Sequence, residues 1–87
     1  MLACDVARGE VRRFLTGPVN CEVTGVAFTP DARTAFVNIQ HPGEHPGGRN
    51  DPADPTEHSN WPDGAHAQRP RSATVVVRRI DGGPIGS

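Results

Sequence analysis

Lysine and tyrosine are absent from this chain, and large apolar residues are scarce. All nine basic side chains are arginine, ten acids balance them, and the formal net charge is −1. Without a basic excess, no field steers the chain to nucleic acid or to an anionic membrane surface. Leu, Ile, Val and Phe together supply 17 of 87 residues. That fraction borders on disorder, but the near-zero net charge does not fit the disordered class. No apolar run approaches the ~20 residues needed to span a bilayer. A Cys-x-x-Cys pattern is also missing: Cys4 and Cys21 stand 17 apart and are read as two free, partly buried thiols. The Arg12-Arg13 pair is followed by no apolar stretch, so it reads as structural rather than as an export signal.

What is present is strand-forming sequence, in a chain long enough for one small domain over residues 1–87. Residues 10–16 (EVRRFLT) alternate and stop at Gly17-Pro18. Residues 22–28 (EVTGVAF) are rich in β-branched side chains, and residues 34–40 (TAFVNIQ) put Ala35, Val37 and Ile39 on one face and Phe36 and Asn38 on the other. Between them, Thr29-Pro30-Asp31-Ala32 has turn chemistry: Pro30 presets φ and Asp31 can accept nearby backbone N–H groups. The pair therefore predicts a β-hairpin. A further strand is predicted over 73–80, where three consecutive valines, Val75 to Val77, suggest a strand covered on both faces. No helix is predicted, because no stripe at 3.6-residue spacing survives the Pro and Gly. The fold class is all-β, with four strands in one antiparallel sheet.

Residues 41–71 are of another kind. In 31 positions there is no Val, Ile, Leu or Phe, but there are six Pro, four Gly and all four His. Such a segment offsets little of its ordering entropy by burial. A loop this long inside a small domain is expected to be either functional or disordered. Trp61 is its single large apolar side chain and the expected anchor against the sheet.

Four stretches in order, GEVRRFLTGPVNCEVTGVAFTPD (9–31), FVNIQHPGE (36–44), SNWPDG (59–64) and RPRSATVVVRRIDGGPIG (69–86), resemble the C-terminal end of the PhoX-type bacterial alkaline phosphatases. The resemblance covers nearly the whole chain. It implies a β-propeller whose active site, built from calcium and iron, hydrolyses phosphate monoesters, in full-length proteins exported by the twin-arginine route. This chain would supply the last blade region: 22–28, 34–40 and 73–80 as successive strands moving outward, and 10–16 as the outer strand of the preceding blade. Two positions depart from the family pattern. Ala32 stands where glycine is usual after the turn's Pro-Asp, and Asn20 where glycine is frequent.

The resemblance places a metal-site glutamate in the stretch containing Glu22. In an antiparallel pair the start of one strand and the end of the next share a rim, so Glu22 and the segment from His41 should meet. A carboxylate there suits a hard cation, and His41 is a second candidate beside it. The plain alternative for Glu22 is a solvated carboxylate at a strand start. His41, Glu44 and His45, with Asp51, Asp54, Glu57 and His58, have the residue types of a ligand cluster but no structural zinc spacing, and they read as a solvated loop. Arg69 and Arg71 flank Pro70 where the chain re-enters the sheet, and are candidates for bidentate phosphate binding. Ser and Thr residues have no recognisable paired base, so no catalytic residue is assigned. Two functions follow. One is the C-terminal portion of a metal-dependent phosphatase, inactive as an isolated chain and binding no metal tightly alone. The other is a non-catalytic β-module that associates through open strand edges.

Overall fold

The computed structural model describes residues 1–86. Five strands form two antiparallel sheets. Strands β1 (Leu2–Asp5) and β2 (Glu10–Arg13) make a two-stranded hairpin. Strands β3 (Glu22–Phe28), β4 (Thr34–Gln40) and β5 (Ala73–Arg78) make a meander in that order. The only helical element among the described residues is a single 3-10 turn, Gly64–His66. Among the described residues no helix is long and apolar enough to cross a membrane.

The expected four-stranded sheet is therefore corrected. Residues 10–13 do not join β3; they pair with Leu2–Asp5, in the register Leu2 with Arg13 and Asp5 with Glu10. The hairpin turn is closed by Asp5, whose Oδ1 accepts the Ala7 and Arg8 N–H groups. The strand at 2–5 carries little burial signal, because Leu2, Cys4 and Asp5 are all exposed. Its formation depends on backbone pairing rather than on an apolar face. Both cysteines are free, but Cys4 is exposed and only Cys21 is partly buried.

Alternation in β4 fixes the core. Ala35, Val37 and Ile39 are at most 2% exposed. Their cross-strand partners lie on the same face: Phe28, Val26 and Val23 on β3, and Val77, Val75 and Ala73 on β5. Gly25, at φ +54, is the extra residue of a bulge that shifts the β3–β4 register between Thr24 and Val26. The bulge also makes room across the sheet. A Cβ at Gly25 would lie 2.9 Å from Asn38 Nδ2, whose Oδ1 accepts the Thr74 hydroxyl at 2.8 Å. The opposite face carries the row Ala27, Phe36, Val76 in register across all three strands. Here too an expectation is corrected: Val76 is 54% exposed, so β5 is covered on one face only.

The hairpin turn between β3 and β4 has the chemistry that its sequence promised. Ala32 N–H donates to Thr29 O at 2.8 Å, and Asp31 Oδ1 accepts the Thr29 hydroxyl and the Arg33 N–H. Those two bonds hold the Asp31 carboxyl below its ordinary pKa, the Thr29 bond most of all. Ala32 itself is left-handed at φ +58, and Asn20 at φ +56. Both positions that depart from glycine are thus ones that glycine suits. Asn tolerates this region better than Ala does. Ala32→Gly is therefore expected to stabilise the chain by about 1 kcal/mol, read as a raised urea midpoint with an unchanged slope.

The molecule is more open than its mass requires. It exposes 6380 Å², whereas a compact monomer of 9.3 kDa exposes about 5,000 Å². Its radius of gyration is 15.6 Å, against about 12 Å for a compact domain of this length.

Candidate functional site

The ladder sets the rim. Glu22 opens β3 opposite Gln40, the last residue of β4, so the chain leaves β4 at His41 beside the Glu22 side chain. His41 turns the chain with φ +38, and its N–H donates to Ser72 Oγ at 3.0 Å. Pro42 and Gly43 are then buried. Gly43 is left-handed at φ +71, its N–H donates to Val19 O at 2.7 Å, and its carbonyl accepts Asn50 Nδ2 at 2.8 Å. Asn20 Nδ2 donates to Glu44 O at 3.0 Å. These bonds tie the 17–21 and 41–44 segments together.

The network brings three titratable side chains to one point. His41 Nε2 lies 3.0 Å from Glu22 Oε2, and Nδ1 lies 3.0 Å from Glu44 Oε2. The two contacts differ in kind. The Glu22 contact is a hydrogen bond. At Glu44 the distance is that of an ion pair, but Nδ1 is sealed from solvent with no hydrogen-bond partner, so the carboxylate sits off the N–H direction. The imidazole is thereby flanked by two anions. Its pKa is raised above the ordinary 6.5, first by the Glu22 hydrogen bond, with burial opposing and Glu44 adding.

The sign of the resulting pH dependence follows from that raised value. The protonated, doubly flanked ring stabilises the fold fully below about pH 6.5, and the contribution is lost as pH rises through the higher folded value. Asp31, Asp63 and Asp81 have lowered values, so their contributions are present above the ordinary carboxylate range and are lost as pH falls through the folded values. The melting temperature is expected to drop between pH 6 and pH 8.5, and Glu22→Gln to flatten that drop. An unchanged slope in Glu22→Gln would show that the His41–Glu22 contact does not form in solution.

The two arginine candidates separate. Pro70, between them, lies against Gly43, which sets the 69–71 stretch beside the rim. Arg71, however, is held by Asp63 through Nε at 2.6 Å and Nη2 at 2.7 Å, and its N–H donates to Trp61 O. Its fork is occupied in pinning the 61–71 segment, where Trp61 is half-buried and the Trp61–Pro62 peptide is cis. Arg69 is exposed and makes no ion pair among the described residues.

The acids and histidines of 45–58 do not converge with the rim. Asp51 Oδ1 accepts the Ala53 N–H, and His45 Nδ1 accepts the Gly47 N–H. His45 meets His58 edge to face, with ring centroids 5.5 Å apart. The long loop is thus a chain of local turns with side-chain acceptors, which is how it orders without a core of its own. Among the described residues no group of three or more His, Cys, Asp or Glu could hold a metal ion. Two carboxylates at His41 are oxygen donors of the right type for a hard cation, but calcium takes about 6–8 oxygens. The residues present do not by themselves make a calcium or iron site.

The rim lies within a span shared with known proteins. The family model described as "Alkaline phosphatase PhoX" matches residues 1–43, a span that contains Glu22 and His41. The chain is also similar to the solved structure of "Pseudomonas fluorescens PhoX in complex with vanadate, a transition state analogue", at 45% identity and a TM-score of 0.76 over 98% of this chain. The chain belongs to the PhoX family. It spans 13% of the length of that PhoX chain. No curated protein matches it. PhoX membership agrees with the split between the β1–β2 hairpin and the β3–β5 meander, since a propeller divides its strands among blades. The resemblance legible in the sequence runs from residue 9 to residue 86; the structural match extends it to nearly every residue.

Proposed function

We propose that this chain is the C-terminal portion of a metal-dependent PhoX-type phosphatase, acting on phosphate monoesters with calcium and iron. The observation that carries the reading is the 45% identity to a PhoX captured with a transition-state analogue, across 98% of this chain. Glu22 is the carboxylate this portion offers to the metals, and His41 with Glu44 holds it at the rim. Arg69 is the group best placed to meet a phosphate, because Arg71 is occupied by Asp63. As an isolated chain it carries too few ligands for catalysis. The resemblance also supports export by the twin-arginine route for the whole protein.

The test is a chimera. Replacing the matching segment of the Pseudomonas fluorescens PhoX by this sequence should give an enzyme that hydrolyses p-nitrophenyl phosphate. Glu22→Gln in that chimera should lower activity by about 100-fold. The isolated chain with added calcium and iron should show none. A chimera that folds and takes up metal yet is inactive would overturn the proposal, as would full activity with Glu22→Gln.

A second reading is favoured by the open shape of the molecule: a module that self-associates through its unpaired strand edges. It does not compete with family membership, since it describes what this span does when no propeller surrounds it.

A further inference from the structure

We propose that Asn20 and Asn50 are positioning residues for the rim: they hold the Glu44 backbone so that its carboxylate stands beside His41 Nδ1, and the His41 ring then presents Nε2 to Glu22. This role rests on the reading of Glu22 as the carboxylate offered to the metals, and it adds the residues that set the partner of Glu22 in place.

A hydrogen bond fixes its own geometry, whereas an ion pair does not. His41 Nε2 is hydrogen-bonded to Glu22 Oε2 at 3.0 Å. Glu44 Oε2 is equally close to Nδ1 at 3.0 Å, but Nδ1 has no hydrogen-bond partner. Glu44 therefore keeps its place through its backbone. Its carboxylate in turn decides which way the ring faces. Half a turn of the imidazole would exchange each nitrogen for a carbon and set C–H groups against both carboxylates. One anion at each nitrogen holds the ring as it stands.

Every backbone N–H and carbonyl of Gly43, Glu44 and His45 has a partner. Gly43 N–H donates to Val19 O, and its carbonyl accepts Asn50 Nδ2. Glu44 N–H donates to His41 O at 3.2 Å, and its carbonyl accepts Asn20 Nδ2 at 3.0 Å. His45 N–H donates to Asn50 Oδ1 at 3.0 Å, and its carbonyl accepts Gly48 N–H at 2.7 Å. Asn50 thus spans Glu44, donating on one side and accepting on the other. A carboxamide offers both roles; a carboxylate of the same shape does not. Exchanging the two ends would face N–H with N–H and carbonyl with carbonyl, so the orientation of Asn50 is set by its partners. Asn20 grips from the other direction, out of the loop that leads into β3 and Glu22. Both asparagines act through Glu44, since their side-chain bonds go to the 43–45 backbone. Asn60 lies exposed in the same long loop, but among the described residues only its carbonyl is bonded, by Gly64 N–H.

The experiment has two arms. In the 87-residue chain, NMR at a fixed pH that keeps the ring protonated follows the His41 Nε2 proton, which the bond to Glu22 protects from exchange with water. Asn50→Asp keeps the shape and the acceptor for His45 N–H but removes the donor to Gly43 O, and should speed exchange by about tenfold. Asn20→Gly should act in the same direction without straining the fold, because the backbone there, at φ +56, suits glycine. Asn60→Ala should leave the rate unchanged. In the Pseudomonas fluorescens PhoX chimera, Asn50→Asp should lower kcat by about tenfold with KM unchanged. That loss should vanish in a Glu44→Gln background, because the two residues act in series. Unchanged exchange in both Asn50→Asp and Asn20→Gly would overturn the proposal. So would an equal loss of kcat with and without Glu44, which would mark Asn50 as a structural residue only. Full activity with Glu22→Gln would overturn the role of Glu22 instead, and the exchange rates would then decide whether the asparagines place His41.

Discussion

Gly43→Ala is expected to be among the most damaging single substitutions in the chain, at roughly 2–5 kcal/mol. Two independent costs add. The backbone sits at φ +71, where a Cβ costs about 1–2 kcal/mol. The Cβ would also lie 2.8 Å from Ser59 Cβ and 3.2 Å from both Ser59 N and Pro70 Cγ. One neighbour is backbone and another a proline ring, so neither yields by a simple rotation. Because Gly43 also bonds Val19 and Asn50, relief of the clash would pull the rim apart. Gly48→Ala is the internal control. It shares a positive φ of +82 but has nothing within 4 Å of its added Cβ, so it should show the conformational cost alone. Urea unfolding of both variants decides the matter: equal losses would mean that the packing around Gly43 is looser than its contacts indicate.

Ile39→Ala should cost about 2–5 kcal/mol. Ile39 is 2% exposed, pairs with Val23 and Ala73, and lies close to Gly17. With Ala35, Val37 and Ile39 as the whole apolar core among the described residues, little can collapse into the cavity. For a domain this small, with stability near the low end of the usual range of about 5–15 kcal/mol, the loss is expected to leave a large unfolded fraction at 25 °C. Val76→Ala removes apolar atoms from the same sheet at a half-exposed position and should change monomer stability by less than about 0.5 kcal/mol. Circular dichroism melts of both variants at one low concentration separate them. Similar losses would place the core on the other face of the sheet.

Ile39 and Gly43 differ in how far the sequence alone reveals them. Ile39 announces itself, because strict alternation over 34–40 forces one buried face, and the turn chemistry of 29–32 then fixes its partner strand. The meeting of Glu22 with His41 is equally readable, since it follows from hairpin topology alone. Gly43 is not readable as a packing position. Its constraint comes from Ser59 and Pro70, residues far along a loop with no periodicity to predict where it folds back. The same holds for Arg71 and Asp63, eight residues apart, and for Glu44, which reaches His41 only because Asn20 and Asn50 shape the turn. Strand β1 escapes for the opposite reason. It buries so little that its sequence carries no pattern, and only the complementary backbone of β2 defines it. A pattern records burial; contacts between exposed or irregular segments leave no such trace.

The two strands that bracket the long loop are direct neighbours, with Ile39 paired to Ala73. Topologically, then, everything from His41 to Ser72 is the tip of an ordinary hairpin, grown by some thirty residues without moving its base. Closing a longer tip is inexpensive, since the entropy rises only with the logarithm of length. The sheet therefore sets no upper limit on what is carried there. The limits come instead from the loop's own contacts, with Ser59 and Pro70 seated against Gly43 and Asp63 clasped by Arg71, so its far end helps to hold the rim that its near end forms.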